Sequence, residues 1–209
     1  MRKIKIKTMV LGMVQTNCYI VRVPESKEAV VIDPGDRAEK IYSYLKENDL
    51  VCKRILLTHG HFDHITAAES LKSLTGADIY AHESEAELLK DPNLNASTQM
   101  GRKVSLKPDY FLKDGEKFEA AGLFWKVLYT PGHTEGGACY YLEEEAVVFS
   151  GDTLFYESIG RTDLPTGDYQ RLIESIRNRL FVLSDETEVY PGHGRPTTIG
   201  HEKQYNPFL

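Results

Sequence analysis

Apolar residues recur along this chain in two rhythms, strict alternation and a spacing of three to four, and the switches between them mark its elements. Ile4, Ile6 and Thr8 alternate with lysines, which predicts a half-exposed strand. Residues 17–23 and 29–33 read as strands around a Pro24-Glu25-Ser26 turn, and Asp33-Pro34-Gly35-Asp36 stops the second. A helix is expected over 37–48, with Ala38, Ile41, Tyr42 and Leu45 on one face. Residues 53–57 form a β-branched, buried strand, and Ile65, Ala68 and Leu71 mark a helix face just beyond it. Next come a strand at 77–81, a short helix at 84–89 and a hairpin over 118–129 turning near Ala121-Gly122. Strands at 137–142 and 146–149 follow, then a helix over 168–180 with Leu172, Ile173, Ile176 and Leu180 inward. Residues 187–190 are the last clear strand. Residues 91–107 have no period and many turn formers, which predicts a surface loop long enough to serve as a substrate lid. Strands and helices interleave, yet the hairpins exclude a purely parallel sheet, so two mixed sheets covered by outer helices suit the pattern.

With 209 residues, 41% of them hydrophobic, the chain can bury a substantial core, and one domain over 1–209 is expected. A formal net charge of −6 argues against nucleic acid or an anionic membrane as partner. Cys18, Cys52 and Cys139 form no Cys-x-x-Cys pair and lie in apolar surroundings, which predicts buried free thiols in a reducing compartment. The basic start Met1-Arg2-Lys3 leads into alternation rather than a signal-peptide core, and no apolar stretch is long enough to span a bilayer. A soluble cytoplasmic protein is the expectation.

The chemistry concentrates in Thr58-His59-Gly60-His61-Phe62-Asp63-His64, which holds three of the seven histidines. An extended backbone turns His59 and His61 to one side, and the strand-to-helix turn presents Asp63 and His64 beside them. The same punctuation recurs downstream. Strand-like runs end in Pro131-Gly132-His133, in Gly151-Asp152 and in Pro191-Gly192-His193. A single Pro-Gly-His is an ordinary turn; two copies, a Gly-Asp and the opening motif point to one shared crevice at a sheet edge. His59, His61, Asp63, His64, His133, Asp152 and His193 exceed the needs of one tetrahedral metal. Divided around a bridging carboxylate they suit two divalent ions roughly 3.5–4 Å apart. Nitrogen and oxygen donors fit zinc, iron or manganese without choosing among them.

Thr-His-Gly-His-Phe-Asp-His, Pro-Gly-His-Thr, Ser-Gly-Asp-Thr-Leu-Phe and Pro-Gly-His-Gly, in this order and spacing, resemble the metallo-β-lactamase-fold hydrolases. Within them the sequence is most similar to the glyoxalase II-like branch, the hydroxyacylglutathione hydrolases. The resemblance implies an αββα sandwich of two mixed sheets flanked by helices. It places His59, His61 and His133 on one metal, Asp63, His64 and His193 on the other, and Asp152 between them, with zinc the first expectation. Full-length glyoxalase II continues into a helical glutathione-holding domain, whereas this sequence ends at Asn206-Pro207-Phe208-Leu209, so a single domain without that extension is expected.

The implied activity is hydrolysis of an S-acylglutathione such as S-lactoylglutathione, a small-molecule thioester, by hydroxide formed on the metal. A thiolate, with a thiol pKa of about 8.5, leaves without a strong general acid. Asp63 is assigned a second role, orienting the hydroxide. Arg161 lies where glyoxalase II carries a basic residue against glutathione and is expected to grip a substrate carboxylate, the alternative being an arginine paired with Asp163. Gly160-Arg161-Thr162-Asp163 also resembles the persulfide dioxygenases, in which His59, His133 and Asp152 would hold one iron. A metal that only stabilises the fold needs fewer than seven ligands. Nuclease relatives call for a basic surface, and β-lactamases for a secretion signal and a ligand cysteine, which this sequence does not display. Asp33 is read either as a turn carboxylate or as a support for a ligand histidine. His82 is placed at the surface or behind a ligand, His201 at the surface, and Trp125 in the core.

Overall fold

A computed structural model describes residues 4–209, so the basic start Met1-Arg2-Lys3 lies outside the described residues. The first half of the chain builds one sheet and its covering helices. In order these are β1 (Lys5–Leu11), β2 (Thr16–Arg22), β3 (Glu28–Ile32), α1 (Ala38–Glu47), β4 (Val51–Leu56), α2 (Phe62–Ile65), α3 (Ala68–Thr75), β5 (Asp78–His82), α4 (Ala86–Lys90) and β6 (Tyr110–Leu112). The six strands lie in sequence order, antiparallel through β3 and parallel from β3 to β6. The second half contributes β7 (Lys117–Ala120), β8 (Leu123–Tyr129), β9 (Ala138–Leu142), β10 (Val147–Gly151), a ribbon of β11 (Leu154–Phe155) and β12 (Ser158–Ile159), α5 (Tyr169–Ser175), β13 (Glu188–Pro191), β14 (Thr197–Thr198) and α6 (Ile199–Tyr205). Its main sheet runs β14-β13-β10-β9-β8-β7, and β10 and β13 are parallel.

Side-chain parity sorts these strands into three apolar layers, because successive residues of a strand face opposite ways. In β3, Ala29 and Val31 face α1 and α3, whereas Val30 and Ile32 face the second sheet. In β2, Cys18 and Ile20 divide from Tyr19 and Val21 in the same manner. Trp125, Tyr140 and Phe149 from β8, β9 and β10 fill the layer between the sheets, and the Trp125 indole donates to the Ala120 carbonyl at 3.1 Å. On the far side Leu128, Cys139 and Val148 meet Leu172 and Ile176 of α5 and the following turn. Helix, sheet, sheet, helix is the result, the expected αββα sandwich.

Several boundaries differ from the sequence reading. The helix expected beyond Ile65 is two pieces, α2 and α3, joined at Thr66-Ala67. The expected helix over 168–180 ends as α5 at Ser175 and continues as a wider π turn over Ile176–Leu180. β14 and α6 follow the strand read as the last. Helix α6 has little apolar period to betray it: its buried residues are Ile199 and Glu202, and Thr198 caps it by accepting from the His201 amide. The 91–107 segment is no free flap. Asn95, Ala96, Ser97 and Leu106 are buried, and the Asn95 carbonyl accepts from the Phe62 amide at 3.0 Å, inside the histidine motif.

The two sheets are stitched together at one end. The Asn17 amide donates to the Gly192 carbonyl at 2.7 Å, and the Asn17 side chain donates to the carbonyls of Pro191 and Gly194 at 2.9 Å each. Tyr140 donates its hydroxyl to the Leu57 carbonyl at 2.8 Å. That end is where β3, β4, β8, β10 and β13 terminate, and where every candidate ligand emerges. Among the described residues no helix is long and apolar enough to cross a membrane.

Candidate metal centre

Each donor follows the end of a strand. β4 gives way to Leu57 and Thr58, then His59 and His61 in extended backbone, and α2 begins at Phe62 so that Asp63 and His64 sit on its first turn. From the second sheet, His133 follows β8, Asp152 follows β10 and His193 follows β13. Three overlapping sets draw their donor atoms within 4.8 Å of one another: His59, His61 and His133; His59, His64 and Asp152; Asp63, His64 and His193. All seven sequence-designated side chains therefore converge. His59, His61, His64 and His133 are buried, whereas Asp63, Asp152 and His193 keep some exposure and form the mouth.

Asp152 stands between the sets. Its Oδ1 lies 3.4 Å from His64 Nε2, and its Oδ2 lies 3.6 Å from His133 Nε2 and 3.5 Å from His193 Nε2. Asp63 Oδ2 is 3.2 Å from His193 Nε2 and 3.4 Å from His64 Nε2. Gly192 is required here by space: a Cβ would stand 2.1 Å from Asp152 Oδ1 and 2.7 Å from His64 Cε1.

Hydrogen bonds behind the rings orient their lone pairs. Asp33 accepts from the Thr58 amide at 2.8 Å and from the Thr58 hydroxyl at 2.6 Å, and its Oδ2 lies 2.9 Å from His64 Nδ1. Because the Thr58 hydroxyl gives its proton to Asp33, its oxygen accepts from His59 Nδ1 at 3.1 Å. His133 Nδ1 donates to the Arg161 carbonyl at 2.7 Å. In all three rings the Nδ1 proton is thereby fixed and Nε2 is turned inward, the arrangement that metal-binding histidines use. Asp33 is thus a support for ligand histidines. It holds this place with φ of 50°, a backbone region costly for most non-glycine residues.

The charge pattern follows from burial and proximity. Burial, then the other imidazoles, pushes His59 well below the usual imidazole value, and burial takes His61 down to about 3. Burial lowers His133 as well. Burial also works against charge on His64 and His193, but the carboxylates of Asp63 and Asp152, with Asp33 for His64, outweigh it and raise both. For Asp63 and Asp152 burial favours the neutral acid, yet His64 and its neighbours keep both ionised, Asp152 down to about 2. His59, His61 and His133, held neutral, and the ionised carboxylates are ready donors, whereas His64 and His193 would give up protons to take a cation.

The residues fit divalent ions on one further ground. His59 Nε2, His64 Nε2 and Asp152 Oδ1, all turned into the cluster, are buried with no hydrogen-bond partner among the described residues. Leaving such groups unmet costs about 1–3 kcal/mol each. A cation among them removes that cost.

The remaining designated residues take other places. Arg161 is exposed and bidentate to Asp163, with both bonds at 2.7 Å, while its backbone carbonyl serves His133. His82 is buried, stacks on Tyr129 at 4.4 Å and accepts from the Ser84 amide; it is outside the cluster. His201, expected at the surface, is half-buried against Tyr156 and 3.0 Å from Glu157. Sequence reasoning missed Thr16, whose hydroxyl donates to Asp63 Oδ2 at 2.7 Å, and Glu85, whose carboxylate accepts from the Gly60 amide at 2.7 Å. Neither carries a local signal, since each acts on a loop distant in sequence. Beside Asp63 a cleft opens, lined by Met13, Val14, Phe62, Met100 and Arg102.

The profile of the Metallo-beta-lactamase superfamily matches residues 11–193. The hydroxyacylglutathione hydrolase GloC of Haemophilus influenzae is 41% identical over 198 residues, covering 93% of each chain. Among solved structures, the BLEG-1 B3 metallo-beta-lactamase superposes with a TM-score of 0.93 at 43% identity, covering 98% of this chain and 99% of that one. TTHA1623 in a di-iron-bound form gives a TM-score of 0.87 at 39% identity, covering 97% of this chain and all of that one, 100%. The matched span includes all seven converging side chains, from His59 to His193, and the chain belongs to the metallo-beta-lactamase superfamily.

Proposed function

We propose that this metallo-hydrolase is a glyoxalase II-like thioesterase that cleaves S-acylglutathiones, S-lactoylglutathione among them, with two divalent ions, zinc first. The observation that carries the proposal is the placement of Asp152, whose two oxygens face different histidines of one continuous cluster. His59, His61 and His133 would hold one ion, and Asp63, His64 and His193 the other, with Asp152 shared. When bound, such a pair supplies a nucleophile drawn from water at neutral pH and an electrophilic contact for the acyl oxygen.

The chain's own residues set the rest. Asp63, anchored by the Thr16 hydroxyl, sits at the mouth and orients the attacking water by accepting its hydrogen bond. The buried histidine wall keeps bulk water away from the reacting carbonyl, which strengthens each electrostatic contact there. The departing thiolate needs no acid from the protein. Met13, Val14, Phe62 and Met100 line the approach beside Asp63. Arg161, held by Asp163 and set next to the cluster by its carbonyl on His133, is assigned to a glutathione carboxylate. A cytoplasmic location is part of the proposal, supported by three buried free thiols.

The test is a substrate panel with metal-loaded protein. S-Lactoylglutathione is expected to release stoichiometric thiol, with little turnover of a β-lactam. The segment Gly160-Arg161-Thr162-Asp163 keeps one rival, a persulfide dioxygenase with a single iron on His59, His133 and Asp152. Oxygen consumption with glutathione persulfide, without thioester cleavage, would replace the thioesterase reading by that one.

A further inference from the structure

Glu85 is a buried carboxyl group that the proposed reaction does not use. It closes the 3-10 turn Glu83–Glu85 at the head of α4, and its surroundings are the backbone of Gly60 and Gly136, the Thr134 side chain and Glu135. None of these is a cation. A buried carboxyl without a cation is a costly choice where an apolar side chain could fill the space. Burial pushes Glu85 up to about 7 even with the Gly60 amide donating to it.

What the side chain touches explains its presence. Oε1 accepts from the amide of Gly60, the residue between His59 and His61. Oε2 makes no hydrogen bond of normal geometry and lies against Gly136, three residues after His133. Space is tight on both sides. A Cβ on Gly60 would stand 2.7 Å from Leu88 and 3.0 Å from Leu89, and one on Gly136 would stand 2.3 Å from the Glu85 amide and 2.4 Å from Oε2. The head of α4 is thus wedged between a loop from the first sheet and a loop from the second. Those loops carry His61 and His133, whose Nδ1 and Nε2 atoms face each other at 2.9 Å.

We infer that Glu85 is the positioning residue for one metal position, fixing His59, His61 and His133 relative to one another through Gly60 and the loop that follows His133. The position built from Asp63, His64 and His193 is tied instead by Thr16, while Asp33 serves a ring of each position, His64 directly and His59 through Thr58. This inference rests on the two-position reading above, and it predicts a selective effect rather than a general one.

Metal-free protein titrated with cobalt against a competing chelator separates the possibilities by affinity and by the cobalt absorption bands. Wild type is expected to take two equivalents. Glu85→Ala should weaken one position by roughly 10–100-fold, so that one equivalent survives the chelator and the bands of the other set persist. Glu85→Gln should restore the second equivalent, because the amide oxygen still accepts from Gly60 N–H. Thr16→Val, which unties Asp63, should weaken the opposite position. Two unchanged affinities in Glu85→Ala, equal weakening of both, or no rescue by Gln would each overturn the role of Glu85 while leaving the two-position reading intact. Wild type saturating at one equivalent would overturn both. If Glu85→Ala loses its fold by circular dichroism, Glu85→Leu, which fills the volume without an acceptor, carries the same test.

Discussion

Asp33 shows how much of the site depends on side chains that touch no substrate. One carboxylate positions His64 directly and His59 through Thr58, so two of the rings owe their inward Nε2 to it. Asp33→Ala is expected to cost 10–100-fold in metal affinity, the range typical of lost support behind a ligand. Asn tolerates the same left-handed backbone, so Asp33→Asn should keep the turn but lose the charge beside His64. Isothermal titration with zinc reads both. Glu85 allows a pH prediction with a definite sign. Its folded value of about 7 exceeds the ordinary 4.5, so between those values the folded chain keeps a proton that the unfolded chain has lost. Stability of the metal-free protein from this group is therefore full below pH 4.5, falls as pH rises to about 7, and is flat above, with a loss on the order of 3 kcal/mol. Urea denaturation should show wild type losing stability relative to Glu85→Gln as pH rises across the window; a constant difference would contradict it. For Arg161, Arg161→Ala is expected to raise KM for glutathione thioesters roughly tenfold with kcat little changed. An unchanged ratio between a glutathione thioester and a small uncharged thioester would leave Arg161 as the partner of Asp163 alone.

At the scale of elements, the strands and their stops were legible because parity and punctuation are local. Val30 and Ile32 against Ala29 and Val31 announce a strand buried on both faces, and Pro-Gly-His announces where two others end. The seven donors were legible for the same reason, being residue types with a chemistry displayed at those stops. The supports were not. Asn17 reaches carbonyls more than 170 residues away, and Glu85 reaches Gly60 across a helix, so no window of sequence contains both partners. Helix α6 was hidden by its polarity, with Glu202 buried to accept from Thr197 and Asn206 rather than exposed. Helix α5 matters to the site through contact. Leu172 sits in the third apolar layer, and its backbone lies so close to Gly132 that a Cβ there would stand 2.2 Å from the Leu172 amide, one residue before His133. Leu172→Ala should cost about 2–5 kcal/mol of stability by opening a cavity under that loop. A shift in the urea midpoint reads it, and an effect below 1 kcal/mol would mean that the layer closes over the gap.

The whole molecule is a sandwich whose function lies along one edge. Two sheets are packed face to face by Trp125, Tyr140, Phe149 and their neighbours, and their strand ends are tied by Asn17 and Tyr140, so donors from both halves of the chain meet in one rigid cluster. Neither half supplies a complete set: His59, His61, Asp63 and His64 come from the first, and His133, Asp152 and His193 from the second. The central claim is that this edge holds two ions and hydrolyses a thioester with both. The most direct measurement titrates zinc into metal-free protein while following thiol release from S-lactoylglutathione and bound metal together. The account predicts activity that climbs until about two equivalents are bound and then stays level. Full activity at one equivalent, or two equivalents bound with no thiol released, would contradict it.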